Sequence, residues 1–297
     1  MHETRISSNG IELNVLVAGE GPAVVLCHGF PELAISWRHQ IAALASAGYR
    51  VYAPDMRGFG RSSRPAETDA YDIFSLGGDI TGLLDAVGVE TAFLVGHDWG
   101  ATVAWHVALA NPERVRGVAG LSVPAAPRPP VPPMQIFRKR LGDDFYQLWF
   151  LRPGPADDAL ARNVSRVVTA SEDWSEEWAA RTDDPAIRPP WLGEQELERW
   201  VSELTRTGFT GGLNYYRNID RNWELTAHLE GATVDVPALF ITGSEDIVRR
   251  FMPGNGMASY VTDLRDFVVI EGAGHWVQQE RPEEVSRLLL SFLSSID

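Results

Sequence analysis

The sequence predicts an α/β fold: a mostly parallel, doubly wound sheet with a helical cap inserted into it. Three observations carry this. Short apolar runs alternate with helix-patterned segments, the signature of strands that pair in parallel through helical crossovers. The alternation stops after Val123 and resumes at Val236. Glycine-rich turns follow the apolar runs and hold most of the residues able to do chemistry.

Taken in order, residues 4–8 and 11–18 carry alternating apolar positions around Ser8-Asn9-Gly10, which reads as a hairpin. Ala23–Cys27 is a continuous apolar run of the type buried on both faces. Similar runs recur at Arg50–Pro54, Ala92–Gly96, Val115–Ser122, Pro237–Thr242 and Asp266–Ile270. Helical patterns separate them: Trp37–Ala47 closed by Gly48, Ile73–Val87 closed by Gly88, Thr102–Ala110 closed by Asn111-Pro112, and a last helix over Pro282–Leu293. Residues 124–235 show no strand pattern. They open with Pro127, Pro129, Pro130, Pro132 and Pro133, a stiff exit from the sheet, and hold six of the ten tryptophans. The expected organisation is a core of residues 1–123 and 236–297 with a helical cap, or lid, over 124–235.

The chain has 297 residues, 44% hydrophobic and 22% charged, as expected of a packed globular protein. Its formal net charge of −14 repels phosphate backbones and anionic lipid heads, so neither nucleic acid nor a membrane surface is an expected partner. One cysteine, Cys27, rules out an intrachain disulfide. No signal peptide and no apolar run of membrane-spanning length is visible, which predicts a cytoplasmic protein, monomer or homodimer.

Gly96-His97-Asp98-Trp99-Gly100 lies between a strand and a helix and has the form of a nucleophile elbow, G-x-Nu-x-G. His28-Gly29-Phe30-Pro31 follows an earlier strand, where the second half of an oxyanion hole belongs. Gly243-Ser244-Glu245-Asp246 follows the strand after the cap, and Gly272-Ala273-Gly274-His275 the last one. Nucleophile, acid and histidine, each at the carboxyl end of a strand, is the chain order of an α/β-hydrolase triad. A carboxylate nucleophile has a chemical consequence. Serine attacking saturated carbon would leave a stable ether, whereas aspartate leaves an ester that an activated water can cleave. Asp98 therefore points to displacement at saturated carbon, with a halide or an epoxide oxygen as leaving group. Halide wants N–H donors; an epoxide oxygen wants a proton, which a tyrosine can give.

The chain resembles the soluble epoxide hydrolases over His28-Gly29-Phe30-Pro31-Glu32, the elbow, Phe145-Tyr146-Gln147-Leu148-Trp149-Phe150, Leu213-Asn214-Tyr215-Tyr216-Arg217-Asn218 and the stretch from Gly274 to Pro282. The resemblance implies epoxide hydrolysis with no cofactor and no metal. It implies Asp98 as nucleophile, Tyr146 and Tyr216 as the cap tyrosines on the epoxide oxygen, and His275 as base oriented by Asp246, with Glu245 the alternative acid. The backbone N–H groups of Phe30 and Trp99 would form the oxyanion hole, and the two side chains would line the substrate pocket. Glu32 matches the family without a derivable role, and His28 and His97 read as supports. Asp55, Arg57 and Ser62 read as structural. The rival readings are a haloalkane or fluoroacetate dehalogenase with the same nucleophile, and a non-catalytic ligand receptor on this fold. The haloalkane enzymes usually carry Asn where Phe30 stands; the fluoroacetate enzymes place arginines after the nucleophile.

Overall fold

Asn9 and Gly10 take φ of 47° and 77° and turn strand β1 (His2–Ser8) into β2 (Ile11–Ala18), with Ser8 opposite Ile11. Two successive positive φ values match the right-handed twist of a tight hairpin. The computed structural model describes residues 1–170, 174–180 and 187–296; residues 171–173 and 181–186 of the predicted cap lie outside them. The other strands are β3 (Ala23–Cys27), β4 (Arg50–Pro54), β5 (Ala92–His97), β6 (Val115–Leu121), β7 (Ala238–Gly243) and β8 (Leu264–Ile270). They form one sheet in the order β1-β2-β4-β3-β5-β6-β7-β8. Only the β1–β2 and β2–β4 pairs are antiparallel.

Successive residues of a strand point to opposite faces, and β3 divides accordingly. Val25 and Cys27 join one core cluster, Val24 and Leu26 the other. Helices α1 (Arg38–Ser46) and, at the end of the chain, Pro282–Ser294 cover the second face through Ile41, Leu44, Val285, Leu289 and Leu293. Helices α2 (Ile73–Ala86) and α3 (Trp99–Ala110) cover the first through Leu76, Ile80, Leu83, Val103 and Val107. The sheet is therefore buried on both faces, which is why its strands read as unbroken apolar runs.

Between β6 and β7 the described residues hold eight α-helices: α4 (Pro133–Leu141), α5 (Tyr146–Phe150), α6 (Pro155–Arg162), α7 (Val164–Thr169), α8 (Glu176–Ala180), α9 (Glu194–Thr207), α10 (Thr210–Arg217) and α11 (Ile219–Leu225). Val234 then pairs with Val261, so the chain is back against the core before β7 begins. Phe150, Trp200, Leu213, Tyr215 and Tyr216 from these helices share the cluster that lies under α2 and α3. Polar bonds also tie these helices down, among them the Tyr215 hydroxyl donating to the Arg57 carbonyl at 2.8 Å and Asn218 Nδ2 to the Thr68 carbonyl at 2.6 Å.

Arg57 is itself buried and forked onto Asp79 of α2, Nε to Oδ2 at 2.8 Å and Nη2 to Oδ1 at 2.6 Å. A bidentate pair in this setting is costly to break from one side, because the survivor keeps its desolvation penalty. Asp79→Ala is therefore expected to lower unfolding free energy by about 3–5 kcal/mol in urea titration; a loss below about 1 kcal/mol would contradict this reading.

Candidate active site

Strand β5 ends at His97 and α3 begins at Trp99, so Asp98 alone makes the turn. Its backbone takes φ 52° and ψ −119°, a region L-residues rarely adopt. Close packing forces that geometry. A Cβ on Gly96 would lie 2.1 Å from the Gly100 oxygen, and one on Gly100 would lie 2.0 Å from the Cys27 oxygen of β3. The helix starts three residues earlier than its apolar pattern suggests, and its N-terminus stands directly behind the Asp98 carboxylate, where partial positive charge favours an anion.

The Phe30 N–H donates to Asp98 Oδ1 at 2.8 Å. Burial lifts the Asp98 carboxyl above the ordinary carboxylate range, opposed by His275, His97 and the amides of Phe30 and Trp99. His275 Nε2 stands 3.8 Å from Asp98 Oδ2, and its Nδ1 lies 3.0 Å from Asp246 Oδ1. Burial disfavours the imidazolium, but Asp246 and then Asp98 outweigh it and raise His275 to about 9. Asp246 is buried and caps the turn at Ile247–Arg250 by accepting from the Val248 N–H at 2.9 Å. Its neighbour Glu245 is exposed. The geometry thus gives Asp246, not Glu245, to the histidine.

Four residues support the triad: His28 and His97, which the sequence marks as supports, Glu32, which it marks without a role, and Ser122, which it does not mark. Glu32, fully buried, accepts from the Gly29 N–H at 2.9 Å, from Gln278 Nε2 at 2.9 Å and from His97 Nδ1 at 2.6 Å. Burial works against ionising it, but His97 and His28 hold it below the usual glutamate range. His97 Nε2 faces the His275 carbonyl at 2.8 Å, an atom that can only accept. His97 thereby links Glu32, on the oxyanion-side loop, to the His275 loop. Ser122, at φ 67°, donates to the same carbonyl at 2.9 Å. His28 accepts from the Met56 N–H at 2.9 Å, so its Nδ1 carries the proton to the Gly29 carbonyl at 2.8 Å. The only available signal for Ser122 was a small polar residue where β6 leaves the sheet beside the elbow.

Tyr146 of α5 and Tyr216 of α10 meet above Asp98, ring centroids 6.3 Å apart. With Phe30, Asp98, His275 and Trp276 they line a cavity of about 30 Å³, room for about one water. Trp99 is a correction to expectation. Its indole does not line this cavity but stands behind Tyr216, rings 5.1 Å apart at 86°. The cause is the first turn of α3, which sends that side chain under α10. A second cavity of about 440 Å³ lies close by and is mostly apolar. Thr102, Ile219 and Met252 line it, each about one helical turn beyond Asp98, Tyr216 and Val248 of the small cavity.

Residues 22–282 match the family model of the alpha/beta hydrolase fold. The chain is 50% identical to epoxide hydrolase A of Mycobacterium tuberculosis, over 99% of this chain and 98% of that protein. It is 40% identical to epoxide hydrolase 2 of Siraitia grosvenorii, over 99% and 98%. The crystal structure of epoxide hydrolase A from Mycobacterium thermoresistibile superposes with a TM-score of 0.92 at 48% identity, covering 99% of this chain and 98% of that one.

The raised His275 has a consequence for stability. From its ordinary value of 6.5 up to about 9 the folded state holds a proton that the unfolded state has released. Stability from this group is fully present below pH 6.5 and is lost as pH rises through 9. His275→Gln lacks this contribution. In denaturant titrations from pH 6 to 10 the gap between the parent protein and the variant should therefore shrink steadily; a constant gap would contradict the assignment.

Proposed function

Because the chain belongs to the α/β-hydrolase fold family and, within it, to the epoxide hydrolases, we propose that it converts a lipophilic epoxide and water into a vicinal diol through an ester on Asp98. The observation that carries this is one arrangement: a carboxylate seated on two amides, with two phenols across from it and a histidine 3.8 Å behind it.

Asp98 attacks the less hindered ring carbon. The carbon–oxygen bond breaks, its electron pair stays on oxygen, and that oxygen takes a proton from Tyr146 or Tyr216. Asp98 is now a neutral ester. His275, which starts the cycle as an imidazolium, has lost one of the charges that held it up and faces a phenolate that can take its proton. Ring opening itself thus produces the neutral base that the second step needs. His275 then removes a proton from water, and the hydroxide adds to the ester carbonyl carbon. The amides of Phe30 and Trp99, which hold the carboxylate in the resting state, hold the oxyanion here. Collapse expels the alkoxide, which takes a proton from the His275 imidazolium and leaves as the diol; the Asp98 carboxylic acid returns a proton to His275, restoring the carboxylate and the imidazolium. Asp246 keeps the ring oriented and the imidazolium stable.

Residues 124–235 act as the cap over a core of 1–123 and 236–297. The small cavity, walled by Phe30, Tyr146, Trp174, Tyr216 and Trp276, takes the reacting atoms. No described helix is long and apolar enough to cross a membrane; a cytoplasmic enzyme is the reading we adopt. Against dehalogenation stand Phe30, where the haloalkane enzymes usually carry Asn, and Trp99 and Thr102, where the fluoroacetate enzymes place arginines.

The test is His275→Gln treated with a reactive terminal or styrene-type epoxide. Ring opening should proceed and hydrolysis should stall. Intact mass spectrometry should then show one whole epoxide added to the protein, on the peptide containing Asp98 and removable by hydroxylamine. A haloalkane would instead add its mass less hydrogen halide. A folded variant that gains no adduct from any reactive epoxide would contradict the order of steps.

A further inference from the structure

Behind Tyr216 stands the Trp99 indole, rings 5.1 Å apart at 86°. Behind Tyr146 stands an N–H donor. Gln147 Nε2 donates to the Tyr146 oxygen at 2.9 Å. Gln147 is 8% exposed, and its own Oε1 is buried with no hydrogen-bond partner. An amide carbonyl left in that state is unfavourable, and leucine or methionine would fill similar space without it. What the amide supplies at this position is its one bond, and that bond goes to the phenol.

A hydroxyl has one proton and two lone pairs. Once one lone pair takes the Gln147 N–H, the Tyr146 proton is directed elsewhere, and the open side is the cavity it shares with Asp98. We propose that Gln147 is a positioning residue that keeps Tyr146 a donor toward the ring oxygen and stabilises the phenolate that remains when its proton has gone. The inference rests on the epoxide-hydrolase reading above. The balance is simple: the departing alkoxide gains the Tyr146 proton, Tyr146 carries the negative charge, and the His275 imidazolium returns a proton to it. The Gln147 N–H bond becomes charge-assisted only while that charge is present, so it strengthens toward the transition state and not in the resting enzyme. Burial holds the Tyr146 phenol well above the usual tyrosine range, and the Gln147 bond is the influence that draws it back. The next residue along α5, Leu148, is buried and apolar and has no such donor.

Gln147→Met keeps volume and removes the donor. Stopped-flow tryptophan fluorescence separates the ring-opening rate from ester hydrolysis. The expected result is ring opening slowed by roughly 5–50-fold with hydrolysis of the ester unchanged. In a Tyr146→Phe background, where Tyr216 alone remains, the same substitution should have almost no further effect. A purely structural role would lower both steps, and would do so whether or not Tyr146 is present. Gln147→Leu, close in size and without any donor, should slow ring opening at least as much and guards against a Met variant that folds poorly. Ring opening within twofold of the parent, ring opening that speeds up, or an undiminished penalty in the Tyr146→Phe background would overturn the proposal. A parent protein that opens no epoxide would instead defeat the reading on which it rests.

Discussion

The backbone of Asp98 lies where few residues go, at φ 52° and ψ −119°, and the chain on both sides of it is packed backbone to backbone. Gly96 and Gly100 cannot carry a side chain without driving it into the Gly100 and Cys27 carbonyls. This single contact between the elbow and β3 sets the positions of the other parts. It brings the end of β3, and with it the Phe30 N–H, to the carboxylate. It starts α3 immediately behind the same carboxylate. It also sends Trp99 down under α10, where it meets Tyr216. Strain of this kind persists only where the surroundings over-determine it, and here a buried parallel sheet on both sides does so.

Charge is the second organising element. Three buried or half-buried carboxylates, Asp98, Asp246 and Glu32, surround two imidazoles, His275 and His97. The Glu32–His97 pair is static and enclosed, and it ties two loops together through the Gly29 amide and the His275 carbonyl. His275 stands between two carboxylates, Asp246 and Asp98, and on the proposed mechanism the second loses its charge when it is alkylated. The protein as a whole carries −14, yet the site is arranged so that each local anion has a cationic or N–H partner. That is what a carboxylate nucleophile needs if it is to stay ionised away from bulk water.

Much of this was legible in the residues. Apolar runs marked β3 to β7 to within a residue or two, because strands buried on both faces need no polar alternation. Asn9-Gly10 marked the hairpin, since the turn demands two positive φ values. The elbow's glycines marked Asp98, and the chain order marked Asp246 and His275. What escaped was tertiary. The start of α3 at Trp99 was hidden because the elbow lies outside the apolar pattern of the helix. The short helix Val277–Glu280, absent from the expected elements, is held by tertiary bonds: Gln278 and Gln279 reach Glu32 of another loop, and Glu280 accepts from the Gly274 and Trp276 N–H groups. Trp99 was expected in the pocket because spacing along a chain does not say which way the first turn of a helix throws a side chain. Gln147 was legible as a letter beside Tyr146 and nothing more, since a bond between adjacent side chains depends on rotamers fixed by the whole cap.

The central claim is that water attacks the ester on Asp98 and never the epoxide itself. A single turnover in H₂¹⁸O, with enzyme in excess over epoxide, tests it directly. If the ester forms, the diol oxygen added in that first turnover comes from the Asp98 carboxylate; the diol should then be unlabelled, and the peptide containing Asp98 should carry one ¹⁸O in place of ¹⁶O. Label in the first-turnover diol, with the Asp98 peptide unchanged, would mean that His275 directs water onto the epoxide and that no ester forms.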